Sequence, residues 1–334
     1  MSAPSSRTVR GRFVRHLCAI TTLSVLFTLR LAGQTLYWDA NGTATGSGAT
    51  PTGTWSTASG GVNNRWNSNI NGTTTTPGAW LDNRDAVFSA GTNGTNAYTV
   101  TVDPFATILV SSINIQEGTP TFTGGTITLN NATPNFTVGT GRTTTVNSDI
   151  AGTNGLNKLG AGTLILGTSD KSYSGTTTIS AGFLNLAVAQ TFDTVNLSGG
   201  TLTLSGTSTG TTITNLNVTA TSTIDFGGAV ADLTATTLTI SAGVTLNIIN
   251  WTNASDHFFA TNWTNAAFDT TGATPMNQVV FNSPTFAGNN TRWLSSGSHE
   301  ITPLPEPSAY GALLLAATTG LVFWRRRRVS AQPA

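Results

Sequence analysis

The chain has 334 residues, only 9% of them charged, and its formal net charge of +1 hides an uneven distribution. Residues 34–304 carry six Lys and Arg against thirteen Asp and Glu, a net of −7, so they cannot neutralise a phosphate backbone and nucleic acid is excluded as a partner. The single cysteine, Cys18, leaves core burial and backbone pairing to hold an exported fold without disulfides.

The N-terminus reads as a signal peptide over residues 1–33. Arg7, Arg10, Arg12 and Arg15 form a positive region, followed by an apolar stretch over 17–29 of signal-peptide length. No twin-arginine pair occurs and Cys18 lacks a lipobox setting, so the expected route is the Sec export machinery, with cleavage between Gly33 and Gln34.

Residues 34–120 are rich in Gly, Asn and Thr and contain Trp38, Trp55, Trp66 and Trp80. Two readings stand here. An open first coil of a solenoid needs a cap, which large aromatics suit, so the segment reads as the N-terminal cap and first coils. The same four indoles could instead form a platform for stacking sugars.

Residues 121–250 repeat a glycine followed by alternating apolar positions: GGTITL, AGTLIL, AGFLNL, GGTLTL and AGVTLNI. Their second glycines are Gly125, Gly162, Gly182, Gly200 and Gly243, spaced at one or two multiples of about 20 residues, the period of a solenoid coil. Period-two alternation of Thr with Leu, Ile and Val is strand chemistry, and such β-branched enrichment argues against disorder. Glycine at each corner is expected to supply a left-handed turn. The pattern predicts one buried file of Leu129, Leu166, Leu186 and Leu204. The intervening segments, TTTVNSDI, TTTISAG, TSTIDFGG and TTLTISAG, read as a second strand per coil.

Residues 154–186 carry L-x-K-x-G-x-G-x-L-x-L, then aromatic-x-G-x-T, then G-x-L-x-L, and so resemble the autotransporter-associated β-strand repeat. Lys171-Ser172 stands where that pattern usually has Asn before the aromatic. The resemblance implies an all-β, right-handed parallel β-helix with caps at both ends, of the kind found on secreted bacterial surface proteins. The chain after residue 250 lacks the many alternating strands of a membrane barrel. The expectation is therefore the repeat without the transporter.

Residues 251–304, with Trp251, Trp263, Phe281, Phe286 and Trp293, read as a closing cap that becomes an exposed spacer from Ser295. The last segment, 305–334, opens with the rigid tripeptide Pro305-Glu306-Pro307. An apolar stretch over 308–324 follows, predicted as a transmembrane helix at the short end of spanning length, and then Arg325, Arg326, Arg327 and Arg328. Tripeptide, helix and basic cluster together resemble the PEP-CTERM sorting signal. That resemblance implies recognition at Pro305–Pro307 by an exosortase, transient retention in the inner membrane by the arginines, release to the envelope or exterior, and an association with exopolysaccharide.

Chemistry is sparse. His257 and His299 stand far apart without a neighbouring ligand set, so no metal or other cofactor is expected. No G-x-S-x-G elbow, P-loop or dinucleotide fingerprint occurs. Asp82 with Asp85, Asp225 with Asp232 and Asp256 with Asp269 are the nearest candidate carboxylate pairs for glycoside chemistry. Their Asn/Gly/Thr settings suit turns. The expected role is non-enzymatic, structural or adhesive, with a carbohydrate-binding β-helix as the alternative and a polysaccharide lyase or hydrolase behind it.

Overall fold

The computed structural model describes residues 34–304 apart from 74, 228–229, 253–254, 283–286, 289 and 295–296. The predicted signal peptide, the sorting tripeptide, the apolar helix and the four arginines lie outside the described residues, as do Gly33 and Phe286; Gln34 is exposed just ahead of the first strand. Among the described residues no helix is long and apolar enough to cross a membrane.

The chain winds back and forth between a 13-stranded and an 11-stranded sheet, and the strands in each pair almost wholly in parallel. This is an all-β solenoid: each coil lays one strand in the first sheet, turns, and lays the next in the second. The only helical pieces among the described residues are single 3-10 turns at Gly61–Asn63 and Met276–Gln278. Successive parallel strands joined through the opposite sheet coil right-handedly, the hand imposed by strand twist.

Period-two sequence produces this arrangement directly. In Thr163–Leu166 the leucines at 164 and 166 are buried while Thr163 and Ile165 face outward. In-register stacking then builds two inward files in the second sheet. One runs Leu164, Leu184, Leu202, Ile224, Ile248 and Phe281. The other runs Val100, Phe122, Val146, Leu166, Leu186 and Leu204. Burying each such side chain stabilises the fold by about 1.5–3 kcal/mol.

The expected file is corrected at its first member. Leu129 is buried, but it lies in the first sheet beside Val110. At Gly124-Gly125 the chain turns from the second sheet to the first, whereas at Gly162, Gly182 and Gly200 it turns the other way. The true neighbour of Thr163–Leu166 is Thr143–Val146, which the sequence suggested was a second strand of the coil. Ser222–Asp225 likewise pairs with Thr201–Thr207 in the second sheet. Both corner types accept glycine and both sheets alternate, so the pattern marks strands without marking the sheet.

The glycine mechanism also divides. Gly182 and Gly243 do adopt positive φ, of 63° and 74°. Gly125, Gly162 and Gly200 do not; they are small because the neighbouring coil passes too close, and a Cβ on Gly162 would press on the carbonyl oxygens of Gly139 and Arg142.

The solenoid takes in coils within residues 34–120 and continues past residue 250. Parallel strands begin with Thr35–Trp38 against Arg84–Phe88, and continue through His257–Trp263 and Val279–Asn282. Only then does antiparallel structure close the end, with Ala287–Gly288 and a hairpin of Thr291–Trp293 with Ile301–Pro303. The described part of the expected spacer, residues 297–304, does not run free. Ile301 is 0% exposed, and the Ala260 amide donates to the His299 carbonyl at 2.9 Å, because Trp293 and Ile301 share one inward face over the last coil.

Candidate functional site

The repeat at 156–186 is the most specific local structure, and its lysine is its least obvious part. Lys158 has the same inward parity as Leu156, and its side chain is 0% exposed. Its Nζ donates to the carbonyls of Leu159 at 2.9 Å, Gly160 at 2.8 Å and Ala181 at 3.1 Å. The three ammonium protons are thereby matched to three corner oxygens on two successive coils. Burial pushes its pKa down to about 8.

Lys171, the departure from the usual repeat pattern, is a second such staple. Its Nζ donates to Ser148 at 3.0 Å and Gly167 at 2.8 Å, and burial lowers its pKa while Asp149 and Asp170 oppose that shift. Tyr173 is buried beside it with its hydroxyl 2.7 Å from the Thr177 hydroxyl. The repeat motif is thus a set of internal fasteners. For Lys158 the signal in the sequence was its parity with the buried Leu156; Lys171 lies between strands, where parity gives no signal.

The four tryptophans are packed against one another. Trp38 and Trp55 are 0% exposed and Trp66 and Trp80 2%. Ring centroids lie 4.6 Å apart for Trp66–Trp80, 5.1 Å for Trp55–Trp66 and for Trp55–Trp80, and 5.2 Å for Trp38–Trp66. Phe88 carries the cluster down to Phe122 at 4.9 Å. Trp66–Asn67 pairs antiparallel with Thr35–Trp38 and covers that edge. Packed in this way, Trp38, Trp55, Trp66 and Trp80 show no open ring face, which a stacked sugar would require.

The candidate carboxylates are dispersed, and all but Asp232, whose Oδ1 is buried without a hydrogen-bond partner among the described residues, are braced. Asp82 accepts from the Leu109 amide and Asp85 from the Ser112 hydroxyl. Asp225 lies in the second sheet and Asp232 in the first. Asp256 is buried, accepting from the amides of Thr252 and Ala231, and burial raises its pKa; Asp269 pairs with Arg292 at 3.1 Å. His257 Nδ1 lies 2.7 Å from Glu300 Oε1, tying the terminal hairpin to the last coil. Among the described residues no three His, Cys, Asp or Glu gather as a metal site.

The two outer faces differ in chemistry. On the first sheet the outward side chains bond one another along the stack: Asn157 to Asn135 at 2.9 Å, Asn217 to Asn196 at 3.0 Å, and Ser112 to Asp85 at 2.6 Å. On the second sheet the outward positions of the strands from Thr119 to Thr207 are mainly threonine, with Ile165, Phe183 and Asn185 at the centre, and no charged residue falls in those strands.

Residues 156–186 match the passenger-associated-transport-repeat family. The matched span is the segment held by Lys158, Lys171 and Tyr173. A stretch of 200 residues, 58% of this chain, is 32% identical to the adhesin BmaC autotransporter of Brucella suis biovar 1 (strain 1330). It covers 6% of that protein, so the chain spans a small part of the relative's length. No solved structure matches.

Proposed function

We propose that this chain is an exported, non-enzymatic surface protein whose β-helix acts in adhesion. The observation that carries the reading is a passenger-type repeat set within a continuous solenoid, in a chain of which 58% is similar to part of an autotransporter adhesin. The dispersal of the candidate carboxylates supports a role without catalysis, since Asp82, Asp85, Asp225, Asp256 and Asp269 are each engaged in a turn, a brace or an ion pair. Export rests on the sequence of residues 1–33, read by the Sec machinery and cut between Gly33 and Gln34.

The sorting step rests on the C-terminal sequence alone. In this reading an exosortase acts at Pro305, Glu306 and Pro307, while Arg325 to Arg328 hold the precursor at the inner membrane until release to the cell surface or exterior. Deleting the gene and restoring it in the producing cell tests adhesion. Attachment to surfaces or to matrix is expected to fall on deletion and to return with the intact gene. Unchanged attachment, or recovery of the protein from the cytosol alone, overturns the proposal.

A further inference from the structure

From Thr119 to Thr207 the strands of the second sheet present an outer face without charged side chains, bordered on the next coil by Asp225 in register with Thr203, and part of its hydroxyls have no partner among the described residues, whereas the Ser205 hydroxyl donates to Asn185. Thr145, Thr163, Thr201, Thr203 and Thr223 point outward on four coils, and among the described residues none of their hydroxyls takes part in a protein hydrogen bond. The first sheet differs in carrying stacked asparagine pairs on its outward face, Asn157 with Asn135 and Asn217 with Asn196. At the centre of the free face lies Phe183, 44% exposed, in register between Thr163 on one side and Thr201 on the other. An apolar ring set among hydroxyls spaced by the strand separation of about 4.7–4.9 Å is a repeating platform rather than a single pocket.

We propose that this face binds a neutral polysaccharide, laid along the coil axis with a sugar ring on Phe183 and its hydroxyls bonded to Thr163, Thr201 and Thr203. The inference rests on the adhesive reading and gives it a ligand class. Three features select that class. A sugar ring presents C–H groups on its faces and hydroxyls at its rim, matching a ring flanked by threonines. A polymer with a repeat suits a surface with a repeat. The charge selects neutrality: no cation lies on these strands and residues 34–304 carry a net −7, so an acidic glycan finds repulsion instead of a partner.

The test uses the exported protein in native gels cast with dextran, amylose or galactomannan, and with alginate as the acidic control. Retardation is expected from at least one neutral polymer and not from alginate. Phe183→Ala is expected to weaken that retardation at least tenfold. Asn217→Ala, on the other sheet, should leave it unchanged. Phe183 points outward, so the variant's melting curve checks that the fold is intact. Retardation by none of the neutral polymers, equal retardation of Phe183→Ala, or retardation by alginate alone overturns the proposal. Cell attachment measured with the same variant separates the two readings. Attachment that persists in Phe183→Ala while polymer binding is lost removes this face from adhesion, and loss of both places adhesion on this face.

Discussion

Lys158 holds a charge inside a solenoid that has few charges to spend, and its surroundings set a pH dependence. Its folded pKa is lowered from 10.5 to about 8, so between those values the unfolded chain binds more protons and stability rises with pH. The full shift is worth about 3 kcal/mol at roughly 1.36 kcal/mol per unit. Burial raises the pKa of Tyr98 and Tyr173, which acts in the other direction: above pH 10 the unfolded phenols lose protons first and stability falls. Urea melts from pH 7 to 12 are expected to show a stability maximum near pH 10. Lys158→Met is expected to flatten the rising limb, and an unchanged limb would remove the assignment. Glycines offer a second contrast at this scale. A Cβ on Gly182, at φ 63°, would sit 2.5 Å from the carbonyl oxygens of Gly160 and Gly162, while one on Gly243, at φ 74°, meets nothing within 4 Å. Gly243→Ala should cost only the left-handed penalty of about 1–2 kcal/mol. Gly182→Ala should cost clearly more, and equal midpoints would contradict the close stacking of these corners.

At the scale of elements, the strands were legible and their sheet membership was not. Leu202, Leu204, Leu184 and Leu186 announce inward positions by parity alone, and the structure buries all four. The segment GGTITL shares that parity yet belongs to the other sheet, because a corner glycine marks a turn in either direction. The Asn135–Asn157 and Asn196–Asn217 pairs could be read only once register was known, since neither residue is near the other in sequence. The terminal hairpin escaped notice for a different reason: Thr291–Trp293 and Ile301–Pro303 are too short for periodicity to register. The end caps should matter as much as the coils. Trp55 touches Trp66, Trp80, Phe88 and Phe122 and is fully buried. Trp55→Ala is expected to lower stability by about 3–5 kcal/mol in denaturant melts. A loss below 1 kcal/mol would contradict a capping role for the cluster.

For the whole molecule, a stack in which each coil pairs mainly with its neighbours has a stability that is a sum of coil and interface contributions. Such a rod needs no disulfide, keeps its length without a globular core, and offers two long faces of different chemistry. Those two faces are the surfaces that the proposed adhesive role would use. The expected export and sorting signals lie in the two ends of the sequence, residues 1–33 and 305–334. The most direct measurement is the intact mass of the protein recovered from the producing cell's surface and medium. A species beginning at Gln34 and ending near Pro305 is the expected result, leaving the solenoid with its caps and removing both signals. A species that keeps residues 1–33 together with Arg325 to Arg328, found only inside the cell, would contradict the account.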